Sequence, residues 1–428
     1  MLYSKLSLRS ILYNRRQYTS LFAVCFIGFC IMFSVISITD GMLKAVRQKA
    51  RQYYGGDIQF LGGTTLGTTE ADEQQKELEK LVPEHVQFFQ RFDYDAHQCM
   101  FFYEGASVRQ RVAKGIDFDA EKDLLSSYTL AEGSIKSNKE HNSILISLPV
   151  AQKLGVHAGD LITVQMNTIY GTTNTMSMQV SGIFLDSSLF GMYTSYMDIR
   201  ALRTITSYPS NYVNRLCLFY GSTPPSDKEI NELQTKAEKV FHMYPLCSDK
   251  DEFYNALLYD KNVEKPIFAL IPLDSNVEEL QNFIDALRFI VLIIVAILII
   301  IIAVGIGSTY RVIVIKRTTE IGIYRALGMK PSGIRNLFLT ESSFIVFLGF
   351  ISGIIFAFLI TFILSKFNFS FIPAFDIFLS KGHLMPYYNA IKTILILCIV
   401  TVTTLFSVLF TIRKLVHLSP VGALATTN

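Results

Sequence analysis

The residue types that perform covalent chemistry are present in this chain but do not group into a site. There is no GxxxxGK[ST] phosphate loop, no GxGxxG following a strand and no HExxH. Ser147-Leu148-Pro149 and Gly191-Met192-Tyr193-Thr194-Ser195 lack the form of a nucleophile elbow. His85, His97, His141, His157 and His242 are scattered through a polar stretch and read as surface or turn residues rather than bases. Of the six cysteines, Cys25, Cys30 and Cys398 lie in apolar runs and read as small buried hydrophobes. Cys99, Cys217 and Cys247 lie outside those runs, so at most one disulfide can form among them; no spacing is that of a metal site.

What the sequence does concentrate is basic charge beside a short apolar pattern. Residues 311–341 hold six basic and two acidic side chains. Within them Thr318 or Thr319 can cap a helix, and Glu320 suits its N-terminal dipole. Gly328 is a good stop and Pro331 forbids continuation. The expected helix is about eight residues long by these signals, with Ile321, Tyr324 and Leu327 on one apolar stripe and Glu320 and Arg325 beside it. Such a helix suits docking into a groove of another protein, or resting on anionic lipid headgroups.

The elements that position this segment are membrane helices. Residues 21–39, 289–310, 342–365 and 393–412 contain no Asp, Glu, Lys or Arg. Each is close to the roughly 20 residues needed to cross about 30 Å of hydrocarbon. Half of the 428 residues are hydrophobic, 18% are charged and mean hydropathy is +0.34. That excludes an ordinary soluble enzyme, and a net charge of +3 gives no reason to expect nucleic-acid binding. The first run is too long for a signal h-region and lacks a small-x-small cleavage site, so it reads as a retained anchor. Residues 1–20, 311–341 and the tail after Ile412 together carry +10 and the remainder −7. The positive-inside rule then places both termini and 311–341 in the cytoplasm, and the 249 residues from Asp40 to Arg288 on the other side. Without Trp, Tyr387 and Tyr388 are the interfacial rings before the fourth span. Gly349 and Gly353 offer a small-xxx-small packing face. No span carries an ionisable relay, so any energy for transport must enter from a partner.

The division expected along the chain is 1–56, a cytoplasmic N-terminus and first spanning helix; 57–275, an outer domain; and 276–428, with further spans at about 288–310, 341–365 and 391–412. The spacing in 277–288 predicts a helix that continues the second span outward as a stalk, as 40–51 does for the first. In the outer domain, strands are expected near 86–91, 99–104 and 109–116 and a helix over 71–82. Strand-then-helix patterning returns at 213–275, giving α+β halves at 57–110 and 213–275 around a mostly β insertion, 111–212. Alternation on both sides of the polar tip 168–175 predicts a hairpin.

Residues 316–329, Lys-Arg-Thr-Thr-Glu-Ile-Gly-Ile-Tyr-Arg-Ala-Leu-Gly-Met, and the helix reaching Glu341 before the third span resemble the signature of FtsX/MacB-type ABC transporter permeases. The ending Pro420-Val421-Gly422-Ala423-Leu424 is similar to that family's terminal Pro-x-x-Ala-Leu. Gly115-Ile116-Asp117, residues 148–160 and Val180-Ser181-Gly182-Ile183-Phe184 look most like the lipoprotein-releasing (LolC/LolE-like) branch, although Leu148-Pro149 stands where Leu-Gly is usual. The chain begins about 20 residues before its first span, where MacB proteins carry a fused ATPase.

The resemblance implies four transmembrane helices and a large α+β periplasmic domain between helices 1 and 2, the MacB/LolCE-like type VII ABC permease architecture, in the bacterial inner membrane. It implies no catalysis and no cofactor on this chain, with ATP and Mg on a separate ABC ATPase present in two copies. It further implies a second permease chain, identical or paralogous, a periplasmic lipoprotein carrier, contact with membrane lipids, and action by mechanotransmission. Glu320, Ile321, Tyr324, Arg325 and Leu327 would then form the ATPase-coupling helix. Phe29, Met32, Phe33 and Ile36 of the first span, with Leu292, Val295 and Ile299 of the second, would contact acylated substrate, or equally be lipid-facing or helix-packing surface. Ile169, Tyr170 and Asn174 would lie on a carrier-binding hairpin. The alternatives are MacB-like efflux of a drug, peptide or toxin, and FtsX-like control of a cell-wall hydrolase.

Overall fold

The uncharged runs become the centres of helices longer than themselves. The computed structural model describes residues 7, 9–11, 13, 15–63, 66–126, 128–135, 142–259, 266–372 and 375–412; the ending 413–424 lies outside them. In chain order the elements are α1 (Arg15–Tyr54), β1 (Ile58–Gly63), α2 (Ala71–Glu79), β2 (Gln87–Tyr103), β3 (Ala106–Ile116), β4 (Leu130–Gly133) and β5 (Ser143–Ser147). Next come α3 (Leu148–Leu154), β6 (Leu161–Asn167), β7 (Thr173–Phe184), β8 (Thr194–Asp198), α4 (Ile199–Thr206), β9 (Arg215–Phe219), α5 (Asp227–Ala237) and α6 (Lys250–Tyr259). Last are β10 (Ile267–Pro272), α7 (Glu278–Lys316), α8 (Thr318–Ala326), α9 (Pro331–Leu364) and α10 (Ala390–Ile412). Among the described residues four helices are long and apolar enough to cross a membrane: α1, α7, α9 and α10. At 40 and 39 residues, α1 and α7 are each about 60 Å long, roughly twice the hydrocarbon thickness.

The chain divides into a helical unit (Met1–Met42, Asp285–Phe367, Leu384–Asn428) and a sheet unit (Leu43–Ile284, Asn368–His383). In the helical unit, Phe29 and Phe33 meet Phe350 edge-on, with ring centroids 5.3 and 5.5 Å apart. Ile302, Ile306, Tyr310, Ile345, Val346, Val400 and Val408 complete the core around them. Gly349 and Gly353 are where α9 meets α1: a β-carbon there would lie 2.5 Å from that of Cys25 and 2.8 Å from that of Phe29. Gly353→Val should therefore cost about 1–3 kcal/mol by overpacking, read as a lower unfolding midpoint in detergent. The same change at Gly171, with nothing within 4 Å, tests only its positive φ.

The sheet unit is built on one sheet of ten strands in the order β10-β1-β9-β2-β3-β8-β5-β7-β4, with β6 paired to β2 and β7. The strands expected near 86–91 and 99–104 are one strand, β2, with an irregularity between Asp95 and Cys99 in its pairing with β3. Its first part pairs with β9 and its last part with β6, so β2 ties the 57–110 and 213–275 part to the 111–212 insertion. The boundary drawn at 110/111 falls inside β3 for the same reason. Residues 368–383 belong to the sheet unit, where Asp376 meets Lys49 of α1 at 3.1 Å and Lys49 meets Asp186 at 3.3 Å. Cys99, Cys217 and Cys247 are free and buried, which removes the disulfide; Cys398 is exposed rather than buried, because α10 turns it away from the helical core.

Candidate functional site

The segment between α7 and α9 is a short helix hung between two long ones. Only Arg317 separates α7 from α8, and its N–H still bonds the Ile313 carbonyl at 3.1 Å. Arg317 occupies the N-cap position and no side chain caps the helix. The expected Thr318 cap is not made, because its hydroxyl donates backward to the Ile315 carbonyl at 2.7 Å. Glu320 lies in the first turn as expected. Gly328, at φ +84°, ends the segment, and Lys330 in extended conformation leads into Pro331 at the start of α9.

The expected stripe divides. Steps of three residues drift by about 60° on a helix of 3.6 residues per turn, so Ile321 and Leu327 cannot share a face. Ile321 is buried in the helical core and Tyr324 packs partly against it. Leu327 is 80% exposed and Ile323 is 50% exposed, together forming the outward apolar surface. Arg325 is half-buried, and its Nε has no hydrogen-bond partner among the described residues.

Behind α8 sits a charge cluster that spacing alone did not reveal. Arg317 and Glu341 are both almost wholly buried and meet at 2.8 Å. The Arg317 guanidinium donates from Nε to Glu320 at 2.7 Å, from Nη1 to Glu341 and to the Tyr18 hydroxyl at 2.8 and 2.7 Å, and from Nη2 to Ser10 at 2.8 Å. Tyr18 donates in turn to Glu341 at 2.5 Å. Glu341 Oε1 has no partner among the described residues. A buried charge is tolerated only when paired and hydrogen-bonded; here one guanidinium satisfies that for a carboxylate of α9 while also reaching α8 and α1.

The other candidates are separated by burial. Phe29, Met32 and Phe33 are core residues, packed among helices rather than open to a substrate, and Ile36 packs partly against the same core. Val295 and Ile299 are likewise half-buried against it, whereas Leu292 is 64% exposed. The two stripes therefore do not make one open face. At the hairpin, the tip narrows to Thr168–Thr172, held by a hydroxyl contact between these two at 2.7 Å. Ile169 and Tyr170 are exposed there. Asn174 instead donates to the Ile205 carbonyl at 3.1 Å and fastens the hairpin to α4. Among the described residues no group of three or more His, Cys, Asp or Glu could hold a metal ion.

With this geometry in view, comparison with known proteins adds a family. The FtsX-like permease C-terminal family matches residues 292–420, which contain α8, α9, Glu341 and the later part of α7. The chain is similar to the ABC transporter permease YtrF of Bacillus subtilis (strain 168), 28% identical over 115 residues, covering 27% of this chain and 26% of that protein. It is similar along more of its length to the probable export ATP-binding/permease protein MacB of Pseudomonas entomophila (strain L48), 23% identical over 352 residues, covering 75% and 46%. The probable syringafactin export ATP-binding/permease protein SyfD of Pseudomonas syringae pv. tomato is 25% identical over 342 residues, again covering 75% and 46%. The chain spans at most about half the length of these curated relatives.

Proposed function

Because the chain belongs to the FtsX/MacB type of ABC transporter permeases, we propose that it is the multi-pass membrane subunit through which ATP hydrolysis on a separate ATPase subunit extracts acylated lipoproteins from the membrane and passes them to a carrier. The observation that carries the ATPase-coupled part of this reading is α8, a nine-residue helix with Ile321 anchored in the helical core, and Ile323 and the C-cap residue Leu327 turned outward. An exposed apolar pair flanked by Glu320 and Arg325 suits a groove on a soluble partner. Two ATPase copies would serve two permease chains, with ATP and Mg bound by the ATPases. The excess of basic residues in 1–20 and 311–341 supports a bacterial inner-membrane orientation with α8 and both termini facing the cytoplasm and the sheet unit the periplasm. Motion of α8 would reach the sheet unit along α1 and α7, each of which has residues in both units. Tyr170 and Ile169 at the hairpin tip are the surface offered to the carrier.

Leu327→Asp and Ile323→Asp should each weaken copurification of the ATPase by about tenfold or more, the loss expected for an interface anchor, and leave the melting curve unchanged. Ile321→Asp should instead unfold the helical unit. Full ATPase retention in both surface variants would favour α8 lying on lipid headgroups.

A second reading is favoured by the relatives named export ATP-binding/permease proteins: efflux of a drug, peptide or toxin through an outer-membrane duct. Photocrosslinkers at Leu292, which is exposed where Met32 is not, and at Tyr170 separate the two. An acylated lipoprotein at the first and a soluble carrier at the second support release. A channel protein at the second supports efflux, and a cell-wall hydrolase there would overturn both.

A further inference from the structure

We propose that Arg317 is a positioning residue that makes α8, α9 and the start of α1 move as one body. The inference rests on the reading of α8 as the ATPase-docking helix, and deepens it by naming how a push on α8 leaves α8. The cluster has a directional build. The Nε edge of the guanidinium holds Glu320 on α8, while Nη1 holds Glu341 on α9 and Tyr18 on α1. Tyr18 and Glu341 are also bonded to each other, closing a triangle on the side away from α8.

Three features make this a linkage rather than local packing. First, α8 has little else to bind it: one residue joins it to α7, its N-terminus lacks a side-chain cap, and Ile321 is its only fully buried apolar side chain. Second, the partners lie far apart in sequence, so no regular helical hydrogen bond replaces the contacts; Tyr18 is 299 residues from Arg317 and Glu341 is 24. Third, the planar fork serves two directions at once, which a lysine ammonium cannot do from one position. The Arg317 guanidinium also lies over the Phe338 ring, 5.0 Å from its centroid, which fixes its plane against α9. A displacement of α8 must then drag Glu341 and Tyr18 or break charge-assisted bonds in a site shielded from water.

The test uses the full chain in lipid nanodiscs with Cys398→Ser, since the other five cysteines are buried. Spin labels are placed at Ile323→Cys and Thr19→Cys, both exposed positions on α8 and α1. The parent should give one narrow distance distribution. Arg317→Gln and Arg317→Lys should each raise the population of a second, displaced α8 position by about tenfold, the change expected for losing one charge-assisted hydrogen bond. Glu341→Gln, which keeps an acceptor in place, should broaden the distribution less. An unchanged distribution in Arg317→Gln overturns the proposal. Full restoration by Lys overturns the two-sided fork and leaves simple charge neutralisation. A lower melting temperature with the distribution still narrow would make the role purely structural and also overturn it. If the parent chain captures no ATPase, the docking reading fails, while the label distances still report on the linkage.

Discussion

Glu121→Ala should lower the stability of the sheet unit by about 3–5 kcal/mol, the usual cost of breaking a buried pair from one side. Arg91 and Glu121 are each essentially inaccessible to solvent, and the guanidinium meets the carboxylate through both Nε and Nη2. Burial pushes the Glu121 carboxyl above its ordinary value despite Arg91, so the pair is held against its own desolvation cost. Arg91 does more than pair. Its Nη1 donates to the carbonyls of Gln52 and Tyr53 at 3.2 and 2.9 Å, in the last turn of α1, whose last carbonyls have no helical partner. The chain then turns through Gly55 at φ +83°, where a β-carbon would lie 2.7 Å from the guanidinium. Loss of Glu121 strands a charge at the point where the stalk helix enters the sheet. Cys217 is a built-in reporter: it is buried beside this joint and desolvation pushes its thiol up to about 12. In the full chain, Cys217 should be inert to alkylation in the parent and reactive in Glu121→Ala at denaturant concentrations where the parent is folded. The double variant Arg91→Met with Glu121→Leu should recover most of the loss, because removing both charges removes the desolvation penalty as well. Equal damage in the single and double variants would show that losing the Arg91 bonds to the Gln52 and Tyr53 carbonyls costs as much as stranding the charge.

How far the sequence exposed this arrangement depended on the range of the signal. The spans were legible because a membrane helix is written in consecutive residues, and α8 because Gly328 and Pro331 mark its end locally. The hairpin was legible from the alternation of β6 and β7. The continuity of β2 was hidden by Asp95-Ala96-His97-Gln98, three polar residues and an alanine that interrupt the alternation where the ladder is irregular. Arg317 was hidden differently. It sits beside Lys316 in a basic loop, where the positive-inside rule already explains it, and nothing local says that it is buried while its neighbour is exposed. Glu341 stood out only as part of a family pattern, without a role. Lys49 and Asp376 are 327 residues apart, so their meeting is a product of tertiary structure alone. The charges that fasten elements together are those that periodicity misses, since a buried ion and a solvated one occupy the same kind of position in a sequence.

The second large effect is set by pH at the same joint. Lys114 is buried, bonded to Asp93 at 2.6 Å, with its ammonium 4.0 Å from the centroid of the Tyr53 ring of α1. Burial alone would push the Asp93 carboxyl up, but Lys114, Arg215 and Arg91 outweigh it and hold the group below its ordinary value of 3.8. The folded protein therefore binds the Asp93 proton more weakly than the unfolded chain. Its contribution is fully present above the unfolded value and is lost as pH falls through the lowered one. Lys114 itself is held below its ordinary value by burial, with Asp93 opposing; its linkage lies on the alkaline side and leaves the acid limb to Asp93. Lys114→Met removes the first of the partners that hold Asp93 down and leaves the push of burial. Asp93 should then take up its proton about 1–3 pH units higher, the span expected for loss of an adjacent opposite charge. The acid midpoint for unfolding of the sheet unit, followed by protease cleavage within 57–275 of the full chain, should rise with it. At neutral pH the variant should lose less than the about 3–5 kcal/mol of a fully stranded buried charge, because Arg215 still meets Asp93 at 3.9 Å. Asp93→Asn in the Lys114→Met background should abolish the shift of the acid limb, because no titrating group remains at the pair. An acid midpoint that stays where the parent's lies in Lys114→Met would assign acid unfolding to carboxylates elsewhere in the unit.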